Sequence, residues 1–124
     1  MIALALAAAL LAPTPVGVGE REWRIALYRS HVPTGVVHLN VRNYGEDGHD
    51  LSIRTRSGKV LRSVPEIEPG GTDTLRVRLR KPGRYVVFCS LAGHEARGMH
   101  AVLRVRARGG QARGSAARAA FAVQ

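Results

Sequence analysis

A single cysteine, Cys89, stands in a chain of 124 residues, so the chain can close no disulfide of its own and can build no four-cysteine zinc site. Aromatic residues are few, with one Trp, three Tyr and two Phe, and they form no platform of the kind that stacks nucleobases. Acidic residues are outnumbered by Lys and Arg, 9 against 19, which leaves a formal charge of +10. Long apolar runs are missing outside the segment Met1 to Ala12, which stops at Pro13. That run falls short of the roughly 20 residues a membrane-spanning helix needs. No apolar stripe of helical period is long enough for a helix bundle. No carboxylate pair and no nucleophile–base pair stands out, so the sequence argues against an enzyme.

The apolar start is uncharged and offers small residues at Ala9 and Ala12, as the hydrophobic region of an export signal does. Residues 1–19 are therefore expected to be a signal-like segment and lead-in. The protein is expected to be exported, to the periplasm, the cell envelope or the extracellular space. Residues 20–107 have the length of one small domain with its own core. From Arg108 the chain is rich in Gly, Ala and Arg without apolar periodicity, which predicts a flexible basic tail over 108–124. Residues 20–107 carry 16 basic and 9 acidic residues. The basic side chains alternate along strand-like runs instead of gathering on a recognition helix. Nucleic acid is thus not the expected partner; the charge fits an acidic protein or an anionic envelope surface, and equally a solvated face that keeps the protein soluble.

What is present is alternation with period two. Val37, Leu39 and Val41 alternate with His38, Asn40 and Arg42. Leu75, Val77 and Leu79 alternate with Arg76, Arg78 and Arg80, the cleanest case in the chain. Shorter runs of the same kind start at Trp23 and Leu51, and a last apolar row runs from Met99 to Val105. Turn residues separate them: Pro33-Thr-Gly35, Gly45 to Gly48, Ser57-Gly58, Pro69-Gly-Gly71 and Pro82-Gly83. The spacing predicts an all-β fold, an antiparallel Greek-key sandwich of about seven strands. Residues two apart on a strand share a face. His49 has the parity of Leu51 and Ile53, Met99 that of Leu103, and Cys89 that of Val87, so all three point inward. His38 and His100 fall on the polar face, and His31 falls in a turn.

An exported protein ordinarily uses cysteines in pairs, so a lone one is a free thiol, an intermolecular bridge or a metal ligand. Cys89-Ser-Leu-Ala-Gly-His94-Glu-Ala-Arg-Gly-Met99 puts a thiol, an imidazole and a thioether on one short loop, and His49 lies upstream. This soft N/S set suits copper better than magnesium or calcium. A thioether is a poor zinc ligand. Two His, one Cys and a weakly bound Met are the donors of a blue-copper electron-transfer site.

Two stretches, Asn43-Tyr-Gly-Glu-Asp-Gly-His49-Asp50 and Tyr85-Val-Val-Phe-Cys89-Ser-Leu-Ala-Gly-His94-Glu-Ala-Arg-Gly-Met99, resemble the cupredoxins. These are small blue-copper proteins of the auracyanin, rusticyanin and plastocyanin kind. Glu68-Pro-Gly-Gly-Thr72 and Lys81-Pro-Gly-Arg-Tyr85 are similar to family segments as well, so the likeness runs from Val36 to Val105. The Cys-x4-His-x4-Met spacing is similar to that of the auracyanin and rusticyanin loop. The resemblance implies one copper ion held by His49, Cys89, His94 and Met99, in a monomer that carries one electron at a time between redox proteins outside the cytoplasm. It implies an electron port at His94, ringed by Leu91, Ala92 and Gly93. Many members have Asn after the first ligand His; here Asp50 stands there, able to accept a hydrogen bond from Ser90. Two other functions fit the same site. One is copper delivery to an extracytoplasmic oxidase, although the chain has only Met1 and Met99 to offer such a surface. The other is a non-catalytic module docked to a redox enzyme, on the outer membrane face or on a membrane oxidase.

Overall fold

The computed structural model describes residues 12–108. Nine strands occur there: β1 (Thr14–Arg21), β2 (Arg24–Leu27), β3 (His31–Pro33), β4 (Gly35–Asn43), β5 (His49–Thr55), β6 (Val60–Ile67), β7 (Thr72–Leu79), β8 (Gly83–Phe88) and β9 (His100–Arg106). One short helix, α1 (His94–Arg97), precedes β9. The strands form two sheets, ordered β2-β1-β4-β7 and β3-β9-β8-β5-β6. The sheets enclose one core in which Leu39, Leu51, Ile53, Leu79, Val87 and Leu103 are fully buried. The alternation read in the sequence is the alternation of faces: Leu75, Val77 and Leu79 point into the core, and Arg76, Arg78 and Arg80 point to solvent. The architecture is a Greek-key β-sandwich.

Two strands go beyond those the sequence pattern predicts, and both pair in parallel. β1 lies alongside β4, with Val16 opposite Leu39 and Val18 opposite Val41. β3 lies alongside β9, with Val32 opposite Val105. The sheets are therefore mixed and not purely antiparallel. Residues 14–19, expected as lead-in, are the body of β1, with Val16 and Val18 buried. β1 was obscured because Gly17 and Gly19 hold its outward positions where a polar residue would have completed the alternation. β3 is only three residues long, too short to show a period. The expected signal-like residues 1–11 and all of the basic tail except Arg108 lie outside the described residues. Among the described residues no helix is long and apolar enough to cross a membrane.

This topology brings distant residues to one end of the sandwich. β8 runs antiparallel to both β5 and β9. The start of β5, the end of β8 and the start of β9 therefore lie together. β1 and β4 run in parallel and finish at that same end, so the turn after β1 and the loop after β4 meet there too.

Candidate metal centre

His49 is the first residue of β5, Cys89 follows β8, His94 opens α1, and Met99 precedes β9. His49, Cys89 and Met99 have no solvent exposure, and His94 is half-buried. The loop closes on itself through the backbone. The Cys89 amide donates to the Met99 carbonyl at 3.1 Å, and the Met99 amide donates to the His94 carbonyl at 3.2 Å.

The donor atoms converge. His49 Nδ1 lies 3.2 Å from His94 Nδ1, and His94 Nδ1 lies 3.5 Å from Cys89 Sγ. One ligand atom from each of His49, Cys89 and His94 falls within 4.8 Å of the others. Two imidazole Nδ1 atoms and a thiol sulfur facing one another are a donor set that a cation could share. Met99 shares the buried cluster with Cys89. His38 is only half-buried on the outer face of β4, and His31 and His100 are exposed, so the structure leaves these three outside the cluster.

The surroundings fix the donors. Burial pushes the Cys89 thiol up to about 11, so without a cation the sulfur is held as a neutral thiol. A bound metal would favour the thiolate. The Asp50 amide points at Cys89 Sγ from 3.5 Å and would stabilise negative charge there. Asp50 also accepts from the Ser90 amide at 2.6 Å and from the Ser90 hydroxyl, tying the residue after His49 to the residue after Cys89. Asn43, fully buried, shapes the loop before His49: its side-chain amide donates to the Asp47 and Ile67 carbonyls at 2.8 and 2.9 Å, and its oxygen accepts from Gly45 at 2.8 Å. On the other side Arg54 grips Glu95 of α1 with two hydrogen bonds, 3.0 and 2.6 Å long. The Arg54 hydrogen bond holds the Glu95 carboxyl below the usual range.

Two residues at this end had no signal in the sequence pattern beyond a place near a strand. Glu22 and Trp23 form the turn between β1 and β2. Glu22 Oε2 lies 2.5 Å from His49 Nε2. The Trp23 ring stands edge-on to His94, with centroids 4.9 Å apart, and to His49 at 6.4 Å. The Arg97 guanidinium covers the Trp23 ring at 4.6 Å. Parallel pairing of β1 with β4 carries this turn to the site, and a strand mistaken for lead-in hides that pairing.

The family model described as multicopper oxidase matches residues 35–109. No curated protein matches the chain. Among solved structures, the chain is similar to dithionite-reduced auracyanin from the photosynthetic bacterium Roseiflexus castenholzii, at 21% identity and a TM-score of 0.67, covering 77% of this chain and 98% of that one. It is similar to auracyanin A of Chloroflexus aurantiacus at 14% identity and 0.65, covering 77% and 100%. An azurin of the obligate methylotroph Methylomonas sp. strain J gives 17% and 0.63, covering 77% and 99%. Such identities establish the fold, and the fold is the cupredoxin sandwich. With its Val36–Val105 segments inside the matched region, the chain belongs to the multicopper oxidase family.

Proposed function

We propose that this protein is a type 1 copper protein that carries single electrons, with His49, Cys89, His94 and Met99 as the ligands of one copper ion. The observation that supports this most is the convergence of two imidazole Nδ1 atoms and one thiol sulfur at a buried end of the sandwich. The residues fit copper by donor type: two nitrogens, one soft sulfur and a thioether. Auracyanin A, one of the similar structures, is a blue copper protein. Copper held there would supply one-electron cycling between Cu(I) and Cu(II).

The chain's own residues do the rest. Burial of His49, Cys89 and Met99 excludes water, and the Asp50–Ser90 and Arg54–Glu95 contacts hold the loop in one shape. A site that does not rearrange between charge states loses little energy to reorganisation. Half-buried His94, with exposed Ala92 and Gly93 beside it, gives the face a redox protein would approach. Deep burial of the donors favours retention of the metal over delivery. The family name covers oxidases, yet a single His/Cys cluster is found among the described residues, and a multi-electron reduction of oxygen would ask for more. We assign the protein to the periplasm, the cell envelope or the extracellular space on the apolar run Met1 to Ala12, as a monomer serving redox partners.

Purified protein given Cu(II) should take up one ion and turn intensely blue or green through thiolate-to-metal charge transfer. Cys89→Ser should abolish the colour. A Cys89→Ser protein that stays coloured would sink the ligand assignment.

A further inference from the structure

We propose that Glu22 is a positioning residue of the metal centre, holding His49 with its proton on Nε2 and its Nδ1 lone pair toward the metal, and so favouring the oxidised ion. The proposal rests on the copper reading above. His49 is fully buried, so its ring nitrogens must find partners inside the protein. One nitrogen, Nδ1, faces His94 and the Cys89 side. The other, Nε2, meets the Glu22 carboxylate at 2.5 Å. A carboxylate only accepts, so Nε2 is the nitrogen that carries the proton. Nδ1 is then left as a donor atom for a cation.

The carboxylate is itself fixed. Glu22 Oε1 accepts from the Glu46 amide at 2.5 Å and the Asp47 amide at 3.3 Å. Three N–H groups thus point at one side chain, two of them from the loop that leads into His49. The turn that carries Glu22 is packed in place as well, with the Trp23 ring against His94. Glutamine cannot replace this arrangement. It has one acceptor oxygen, and its NH2 group would face either the Nε2 proton or the loop amides.

A hydrogen-bonded carboxylate makes a ligating imidazole more basic, and it adds negative charge one ring away from the metal. Both effects stabilise Cu(II) more than Cu(I). Loss of such an outer partner commonly costs a factor of about ten in metal affinity. Falling on the oxidised ion, a tenfold loss raises a one-electron potential by about 59 mV.

The test uses the copper-loaded full chain and the variants Glu22→Gln and Glu22→Asp. Glu22→Gln should still bind one copper and keep the charge-transfer band, with its potential raised by an amount equal to about a tenfold loss of Cu(II) over Cu(I). Glu22→Asp keeps the charge with a shorter reach, and its potential should fall between the two. A second measurement does not depend on copper redox chemistry. In Zn(II)-loaded protein, nitrogen–proton correlation spectra should show the His49 Nε2 proton protected from water, and Glu22→Gln should lose that protection. Unchanged potentials in both variants, or an unprotected His49 Nε2 proton in the unmutated protein, would overturn the proposal. If the unmutated protein takes up no copper, the copper reading falls, while the zinc spectra still decide whether Glu22 holds His49.

Discussion

Glu20 is the penultimate residue of β1, fully buried, and neither of its carboxylate oxygens has a hydrogen-bond partner among the described residues. Burial, with a smaller contribution from the Asp50 carboxylate, pushes its carboxyl from 4.5 up to about 8. At neutral pH the folded protein therefore holds Glu20 protonated, while the unfolded chain would release that proton above its ordinary value. Between those two values the folded state binds the extra proton, so raising pH favours unfolding. The contribution of Glu20 to stability is greatest at and below the unfolded pKa, declines through the interval and levels off above about 8, a loss on the order of 5 kcal/mol. Urea unfolding of copper-free protein at pH 5 and pH 8 reads this directly. Glu20→Gln should show little of the decline. An equal decline in Glu20→Gln would mean that another group causes it.

At the scale of elements, the site depends on contact between two pieces that are far apart in the chain. The β1–β2 turn and the loop containing α1 touch at Trp23 and Gly98. Gly98 has φ of 131°, and a Cβ there would lie 2.6 Å from the Trp23 carbonyl oxygen. Any side chain at Gly98 must take a backbone conformation that suits only glycine, and must also push the turn away. Gly98→Ala should cost roughly 1–3 kcal/mol of stability from the backbone alone. Because Met99 is next in sequence and Trp23 lies on His94, the charge-transfer band of the copper-loaded variant should also shift. Thermal unfolding followed beside the visible spectrum tests both parts. A variant with the melting temperature and the spectrum of the unmutated protein would show that the turn does not bear on the loop.

Over the whole molecule, positive charge is spread widely, but its placement relative to the site differs. Arg21 and Arg24 flank the turn that carries Glu22 and Trp23. Beside them Tyr28 and Tyr44 are exposed, at 69% and 49%, over the flat strip left by Gly17 and Gly19. Arg21 and Arg42 stack on the Tyr44 ring at 5.8 and 5.1 Å. Arg78 and Arg80 lie at the opposite end of the sandwich, where β7 pairs with the start of β4. Long-range attraction acts on encounter rate, and close contacts act on the bound complex. An acidic redox partner should therefore respond more to Arg21→Glu with Arg24→Glu than to Arg78→Glu with Arg80→Glu. The first pair should slow stopped-flow electron transfer and flatten its dependence on salt, since the Debye length is about 8 Å at physiological ionic strength. Equal effects from both pairs would leave the arginines as a general solubility feature.

The strands of the sandwich are legible in local pattern. Period-two alternation at Leu75–Leu79 and Val37–Val41 needs only the local rule that neighbours on a strand face opposite ways. The same rule assigned His49, Cys89 and Met99 to the interior and His38 and His100 to the outside. The Asp50–Ser90 contact was legible only through the family resemblance, which ties the residue after the first histidine to the residue after the cysteine. That β1 and β3 pair in parallel emerges only from the packed sheets. Parallel neighbours are joined by no tight turn, so nothing local marks the β1–β4 and β3–β9 pairings. His94 lies on a loop, where strand parity says nothing of direction, and the Trp23 ring packs edge-on against it with centroids 4.9 Å apart. Glu22 is 27 residues from His49 in the chain, and no periodicity links the two. Their contact exists because β1 ends beside β4, and that is a property of the sheet and not of any segment within it.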